Sequence, residues 1–206
     1  MKFLKWFLII LVVVAFISVC SEEIGGDKET STADNATTTE NKAEQTQADP
    51  QANNPINLGM TPQEMGAGID KIVKEVAKVD TSLKNVQTDG NIYMSQMGNG
   101  VTWYGDVDST GNAVVSTYSI KFNEKDQGEM LAAIIIAGAN ARVLSPELPK
   151  EQTAGELVKV ANEAMEKFND TLKGSAVTKI VGDYKYIVEV VPEGRLLKVS
   201  FVHKDH

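Results

Sequence analysis

The chain contains one cysteine, Cys20, and only two histidines, His203 and His206, both within its last four positions. One cysteine excludes an intrachain disulfide and thiolate clusters, and histidines confined to one end supply no ligand pair at helical spacing for zinc. No G-x-S-x-G elbow is present, so a Ser-His-Asp arrangement has no serine of the usual setting and would have to recruit His203. His203 is expected to alternate on a last strand and His206 to lie in a frayed end. A strongly basic segment is also missing. The net charge is -8, and the last 150 residues hold 20 acidic against 16 basic side chains. Nucleic-acid binding therefore has no electrostatic basis, and no cofactor is implied.

Long apolar runs are scarce as well, with one exception at the start. "MKFLKWFLIILVVVAFISVC" carries Lys2 and Lys5, then an apolar run from Phe7 to Val19 interrupted only by Ser18. Its length falls between the core of a cleavable signal and a bilayer-spanning helix. Ile17-Ser18-Val19-Cys20 resembles the lipobox of bacterial lipoproteins, with Val19 where that family usually carries Gly, Ala or Ser. The resemblance implies lipidation of Cys20, which would become the mature N-terminus. An uncleaved signal anchor is a second reading, in which Cys20 is an apolar residue at its end, and secretion after cleavage is a third. The first two tether the chain to a membrane through residues 1–20. With the short basic end held inside, the bulk lies outside the cytoplasm, on the periplasmic or surface side of a cell envelope.

Residues 21–56 hold eight acidic residues and two lysines in a tract rich in Thr, Asn, Gln and Ala, with almost no large apolar side chain before Ile56. Such a composition buries too little surface to offset its ordering entropy, so a disordered acidic linker is expected. At that length its mean reach is roughly 30–35 Å.

Residues 57–206 read as a single α+β domain. Thr61, Pro62 and Glu64 form a helix-start signature, and Met65, Ile69, Ile72, Val73 and Val76 recur at helical spacing, predicting a helix over 62–79. Three strand-like runs follow: "NIYMSQM", "VTWYGDV" and "AVVSTYSIKF". The stretch 129–142 is apolar on nearly every side and too short to span a bilayer, which predicts a buried core helix. A further helix over 151–172 carries Leu157, Ala161, Ala164, Met165, Phe168 and Leu172 on one face. "SAVTKIV", "YKYIVEVV" and "LLKVSFVH" end the chain as three more strands. The predicted order is α-βββ-αα-βββ, a helix-plus-meander unit written twice. One antiparallel sheet of about six strands, covered on one face by helices, fits that order. Gly59-Met60-Thr61 before a helix and hairpins resembles small envelope domains related to an outer-membrane assembly lipoprotein and to a β-lactamase inhibitor. That resemblance implies helices packed on an antiparallel sheet.

Candidate chemistry is thin. Asp106, Asp108, Thr110 and Gly111 are spaced like the start of a calcium loop, but Thr117 stands where a bidentate acid is needed, and a hairpin turn uses the same residues. Glu124, Asp126 and Glu129 precede the core helix, where acidic groups favour the helix dipole. The aromatic set Tyr93, Trp103, Tyr104 and Tyr118 lies on neighbouring strands. If gathered on the uncovered face, it forms a platform for a partner; the alternative sends Trp103 or Tyr104 into the core. The expectation is a membrane-tethered, extracytoplasmic binding or accessory protein of the bacterial envelope, non-enzymatic, whose partner is an envelope protein or polymer. Two alternatives stand beside it: an envelope hydrolase using acidic residues such as Asp106 and Asp108, and an inhibitor or exclusion protein that blocks an incoming enzyme or phage.

Overall fold

The computed structural model of the chain describes residues 56–97, 100–121 and 127–206. The leader with Cys20, the linker to residue 55, residues Gly98 and Asn99, and the segment with Glu124 and Asp126 lie outside the described residues.

Helix α1 spans Pro62–Ala77. Its start follows the sequence signature: the Glu64 amide donates to Thr61 Oγ1 at 3.2 Å, and the Thr61 amide donates to Glu64 Oε2 at 2.9 Å. Both orphan donors are thereby satisfied. The helix ends two residues before the expected limit, with Lys78 left-handed at φ 57. Met65, Ile69 and Val73 are buried along one stripe. Gly66 lies against the 3-10 turn Leu83–Asn85, where an added Cβ would meet the Leu83 carbonyl oxygen at 2.3 Å. Asp70 ties that turn to the helix by accepting from the amides of Leu83 (2.8 Å) and Lys84 (3.1 Å) and from the Thr81 hydroxyl.

The strands are β1 (Gln87–Asp89), β2 (Ile92–Met97), β3 (Val101–Asp106), β4 (Val115–Lys121), β5 (Ser175–Val181), β6 (Tyr184–Val191) and β7 (Leu196–His203). Between β4 and β5 run α2 (Gln127–Leu144), the 3-10 turn Lys150–Gln152 and α3 (Ala154–Thr171). The expected order of helix, strands, helices and strands holds, with one strand more than predicted. The seven strands form one antiparallel sheet in the order β1-β2-β3-β4-β7-β6-β5. The first half is thus one helix followed by a four-stranded meander and the second is two helices followed by a three-stranded one, and the two halves join along their last strands, from Val115↔Val202 to Lys121↔Leu196.

Among the described residues, all three helices lie on one face of the sheet. Five aromatic side chains, one from each of five adjacent strands, cross that covered face in a continuous row. Ring centroids are 5.1 Å apart for Tyr93–Trp103, 6.2 Å for Trp103–Tyr118, 6.3 Å for Tyr118–Phe201 and 5.0 Å for Phe201–Tyr186. Helix α2 meets them with small residues (Ala133, Ala137, Ala141), so bulk from the sheet fills the space left by the helix. The sequence placed this helix correctly as a core element. Helix α3 buries Leu157, Val158, Val160, Ala161 and Ala164. Leu172, expected on that apolar face, is instead its left-handed cap and 74% exposed.

A β-bulge shapes the centre of the sheet. The β3–β4 register runs from Val101↔Ile120 to Tyr104↔Thr117, yet the next contacts, Val114 N to Asp106 O and the Val107↔Ala113 bridge, are one residue out of step. Val115 and Ser116 therefore stand together against Gly105. A Cβ on Gly105 would meet the Val115 carbonyl oxygen at 1.9 Å. The Tyr93 hydroxyl lies beside that glycine and donates to Val115 O at 2.7 Å. Ser116, wholly buried, accepts from Trp103 Nε1 at 2.9 Å and from Asn140 Nδ2 of α2 at 2.7 Å. The polar ends of Tyr93, Trp103 and Tyr186 are thus partnered inside the core, whereas the equally buried Tyr118 hydroxyl has no hydrogen-bond partner and is an exception to the rule for buried polar groups.

Candidate binding surface: the open sheet face

This arrangement corrects one expectation directly. Tyr93, Trp103 and Tyr118 do not form an exposed platform: all three lie on the helix-covered face with no accessible surface. Alternation along β2, β3 and β4 sends them to the same side, and that side is the one α2 covers. Burial pushes the phenols of Tyr93 and Tyr118 well above their ordinary pKa. Only Tyr104, next to Trp103 in sequence, faces the other way, and it is half-buried.

The uncovered face can be built from the registers. One row of directly opposed residues crosses all seven strands: Gln87, Met94, Tyr104, Thr117, Ser200, Ile187 and Thr178. None is charged. Met94 is 63% exposed at one end, while Thr117 at the centre is only 6% exposed, its Oγ1 2.9 Å from Ser200 Oγ. Charges lie to either side of the row. Lys198 and Glu189 are opposed in the next row, beside Ser119 and Ala176. On the other flank, Ile92 faces Asp106, and Val115, Val202, Lys185 and Ile180 continue across β4, β7, β6 and β5. Ile92 and Ile180 are both more than half exposed. The face is therefore a strip of methyl, thioether, phenol and hydroxyl groups with charges at its margins. Such a surface can bury apolar area against a partner and align hydrogen bonds through its hydroxyls, the usual make-up of an interface centre and rim.

Sequence reasoning singled out Tyr104 but not Met94, Thr117, Ser200, Ile187 or Thr178. The signal was available in the alternation of the two meanders, whose outward positions run uncharged through the middle of each strand.

The acidic candidates occupy different settings. Asp106 is exposed at the margin of the open face. Asp108 belongs to the β3–β4 turn: its carboxylate accepts from the Thr110 hydroxyl (2.6 Å), Asn57 Nδ2 (2.6 Å), the Thr110 amide (2.8 Å) and the Asn112 amide (3.2 Å). The Thr110 hydroxyl above all, with the other donors, holds this carboxyl below its usual range. Gly111 takes φ 86 to close the turn, and its amide donates to Asp108 O at 3.0 Å. Thr117 lies in β4, directly opposite Ser200. Among the described residues no group of three or more His, Cys, Asp or Glu side chains is placed to hold a metal ion.

His203 ends β7, half-buried, with its ring edge-on to Tyr184 at 6.1 Å and its Nδ1 3.5 Å from Asp205 Oδ2; His206 is exposed at the chain end. Among the described residues no helix is long and apolar enough to cross a membrane. No protein-family model, curated protein or solved structure is similar enough to this chain to count as a match.

Proposed function

We propose that this chain is a non-enzymatic binding or accessory protein of the bacterial cell envelope, tethered to a membrane by its N-terminal segment and exposing its domain on the extracytoplasmic side. The open sheet face is the surface that meets an envelope protein or polymer. The observation that carries this reading is the uncharged row from Gln87 to Thr178, an unbroken strip across seven strands with Met94 and Tyr104 offering the largest contact groups. Supporting it are the apolar leader and the Cys20 lipobox resemblance, which favour export and anchoring, and the linker, which would let the domain search beyond the lipid surface. The hydrolase alternative has less behind it. Asp108 is engaged by four hydrogen bonds, and a carboxyl held below its usual range is a poor proton donor near neutrality.

Two measurements test the reading. A tag behind His206 should be accessible to protease added outside the cytoplasmic membrane; a protected, cytosolic tag overturns the placement. A photo-crosslinking residue at Tyr104 in intact cells should capture a discrete neighbour, whereas one at exposed Lys71 on α1 should not. Equal capture from both sites removes the open face from the proposal. The identity of the captured neighbour separates an accessory role from that of an inhibitor or exclusion protein, which would use the same surface.

A further inference from the structure

The two edges of the sheet are unlike. Strand β1 is three residues long, ends at Asp89 and is followed at once by the Gly90 turn, so it offers little for another strand to join. Strand β5 runs for seven residues in unbroken register with β6, from Ser175↔Val190 to Val181↔Tyr184. It has no proline, no bulge and one charge, Lys179, which lies on the helix side 3.0 Å from Glu156 Oε2 of α3. On the open side it presents Ala176, Thr178 and Ile180, the last 59% exposed. Folded proteins ordinarily guard such an edge with prolines, charges pointing to either face or bulges, because its amides and carbonyls are a template for pairing; among the described residues the one such guard on β5 is Lys179, whose charge is met by Glu156.

We infer that β5 pairs antiparallel with β5 of a second copy about a two-fold axis at Thr178, joining two sheets into one. The register follows from the residues. Opposed residues in an antiparallel pair must share a face, so only alignments that keep odd positions against odd and even against even are allowed. An alignment centred on Lys179 sets that lysine directly against its copy, which like charge disfavours. One centred on Val177 carries Ile180 and Val181 past the end of the strand to Gly174 and Lys173. The alignment centred on Thr178 pairs all seven residues: Ser175 with the partner's Val181, Ala176 with the partner's Ile180, Val177 with the partner's Lys179, and Thr178 with the partner's Thr178. No like charges face each other, and each Lys179 keeps its own Glu156. All seven strand residues of each copy are paired in this register and no like charges meet, which favours a second copy, rather than an unrelated peptide, as the occupant.

The axis stands perpendicular to the sheet, so both open faces point the same way and the uncharged row continues across the junction through Thr178. The inference goes beyond the binding role and does not depend on it.

The experiment uses the full-length chain in detergent. Light scattering on the eluting peak should give the mass of two chains. Thr178→Lys sets lysine against lysine at the axis and should weaken the dimer by about fivefold or more, with circular dichroism unchanged. Under mild oxidation Thr178→Cys should yield a disulfide-linked dimer well above the background set by Cys20 in the native chain. Lys179→Cys, off the axis, should remain at that background. A monomeric mass for the native chain overturns the inference. So does a dimer that Thr178→Lys leaves intact, or crosslinking at Lys179→Cys equal to that at Thr178→Cys.

Discussion

The two faces of this sheet are made from the same strands and share almost no chemistry. On the covered face, Tyr93, Trp103, Tyr118, Phe201 and Tyr186 follow one another beneath an alanine-rich helix, and the polar ends of Tyr93 and Trp103 find partners in the core. On the open face the same strands present Met94, Tyr104, Thr117, Ser200 and Ile187. The difference teaches where this fold puts its bulk. Aromatic area is used for cohesion between layers, and the outward surface is left uncharged along its middle row, with hydroxyls there and charges to either side. A partner surface built this way does not compete with stability, because the groups it uses contribute little to the core.

The sharpest way to break that comparison is to truncate two neighbours in β3. Trp103→Ala removes a fully buried indole, leaves a cavity under α2 and strips Ser116 of a donor. It should cost about 3–5 kcal/mol, enough to unfold much of the population. Tyr104→Ala, one residue along and on the other face, should cost under about 1 kcal/mol while lowering partner capture. Urea denaturation followed by tryptophan-independent circular dichroism reads both. Equal losses would mean that the open face is also cohesive and not a free surface.

A smaller effect is expected at two serines of β4. Ser116 receives hydrogen bonds from Trp103 and Asn140, so Ser116→Ala leaves two buried donors unmet and should cost about 1–3 kcal/mol. Replacing Asn140 by Leu in that background should cost less than the same change in the native chain, because the two residues share one network. Ser119, on the outward side, should tolerate alanine within about 0.5 kcal/mol. Thermal melts of the four variants settle whether the covered face is specified by its polar centre or only by its volume.

Much of this architecture was legible in the residues. The start of α1 was readable because Thr61, Pro62 and Glu64 each carry a local role. The six long strands were readable because alternation survives without context. Strand β1 was not, since Gln87-Thr88-Asp89 has no apolar residue and exists through backbone pairing to β2. The face assignment failed for a different reason. Alternation says which residues share a side, but only the helices decide which side is covered. A count of bulk would have found it, because Tyr186 and Phe201 fall on the same side as Tyr93, Trp103 and Tyr118. The bulge at Val115 and Ser116 leaves no signature in composition, yet it lies where Ser116 meets Trp103 and Asn140 in the core. Leu172 misled because a regular apolar spacing ran one residue past the point where the backbone turns left-handed.

The smallest predicted effect belongs to neither face and sets the background for both. Asp108 closes the turn at one end of the sheet, accepting four hydrogen bonds that favour its ionised form, with the Thr110 hydroxyl the largest influence. Its carboxyl in the folded protein therefore titrates below the unfolded value of about 3.9. A group lowered in this way adds stability that is fully present above the unfolded value and is lost as pH falls through the folded one. Asp108→Asn keeps an acceptor for the turn amides but removes the titration. The difference in Tm between the native chain and this variant should be small and constant from pH 7 to about 5, then shrink as acid is added towards pH 3. A difference that holds level across that range would mean that the turn is secured by shape and amide geometry alone. The acid sensitivity of the domain would then have to be sought at Glu156, whose carboxylate Lys159 and Lys179 hold below its usual range.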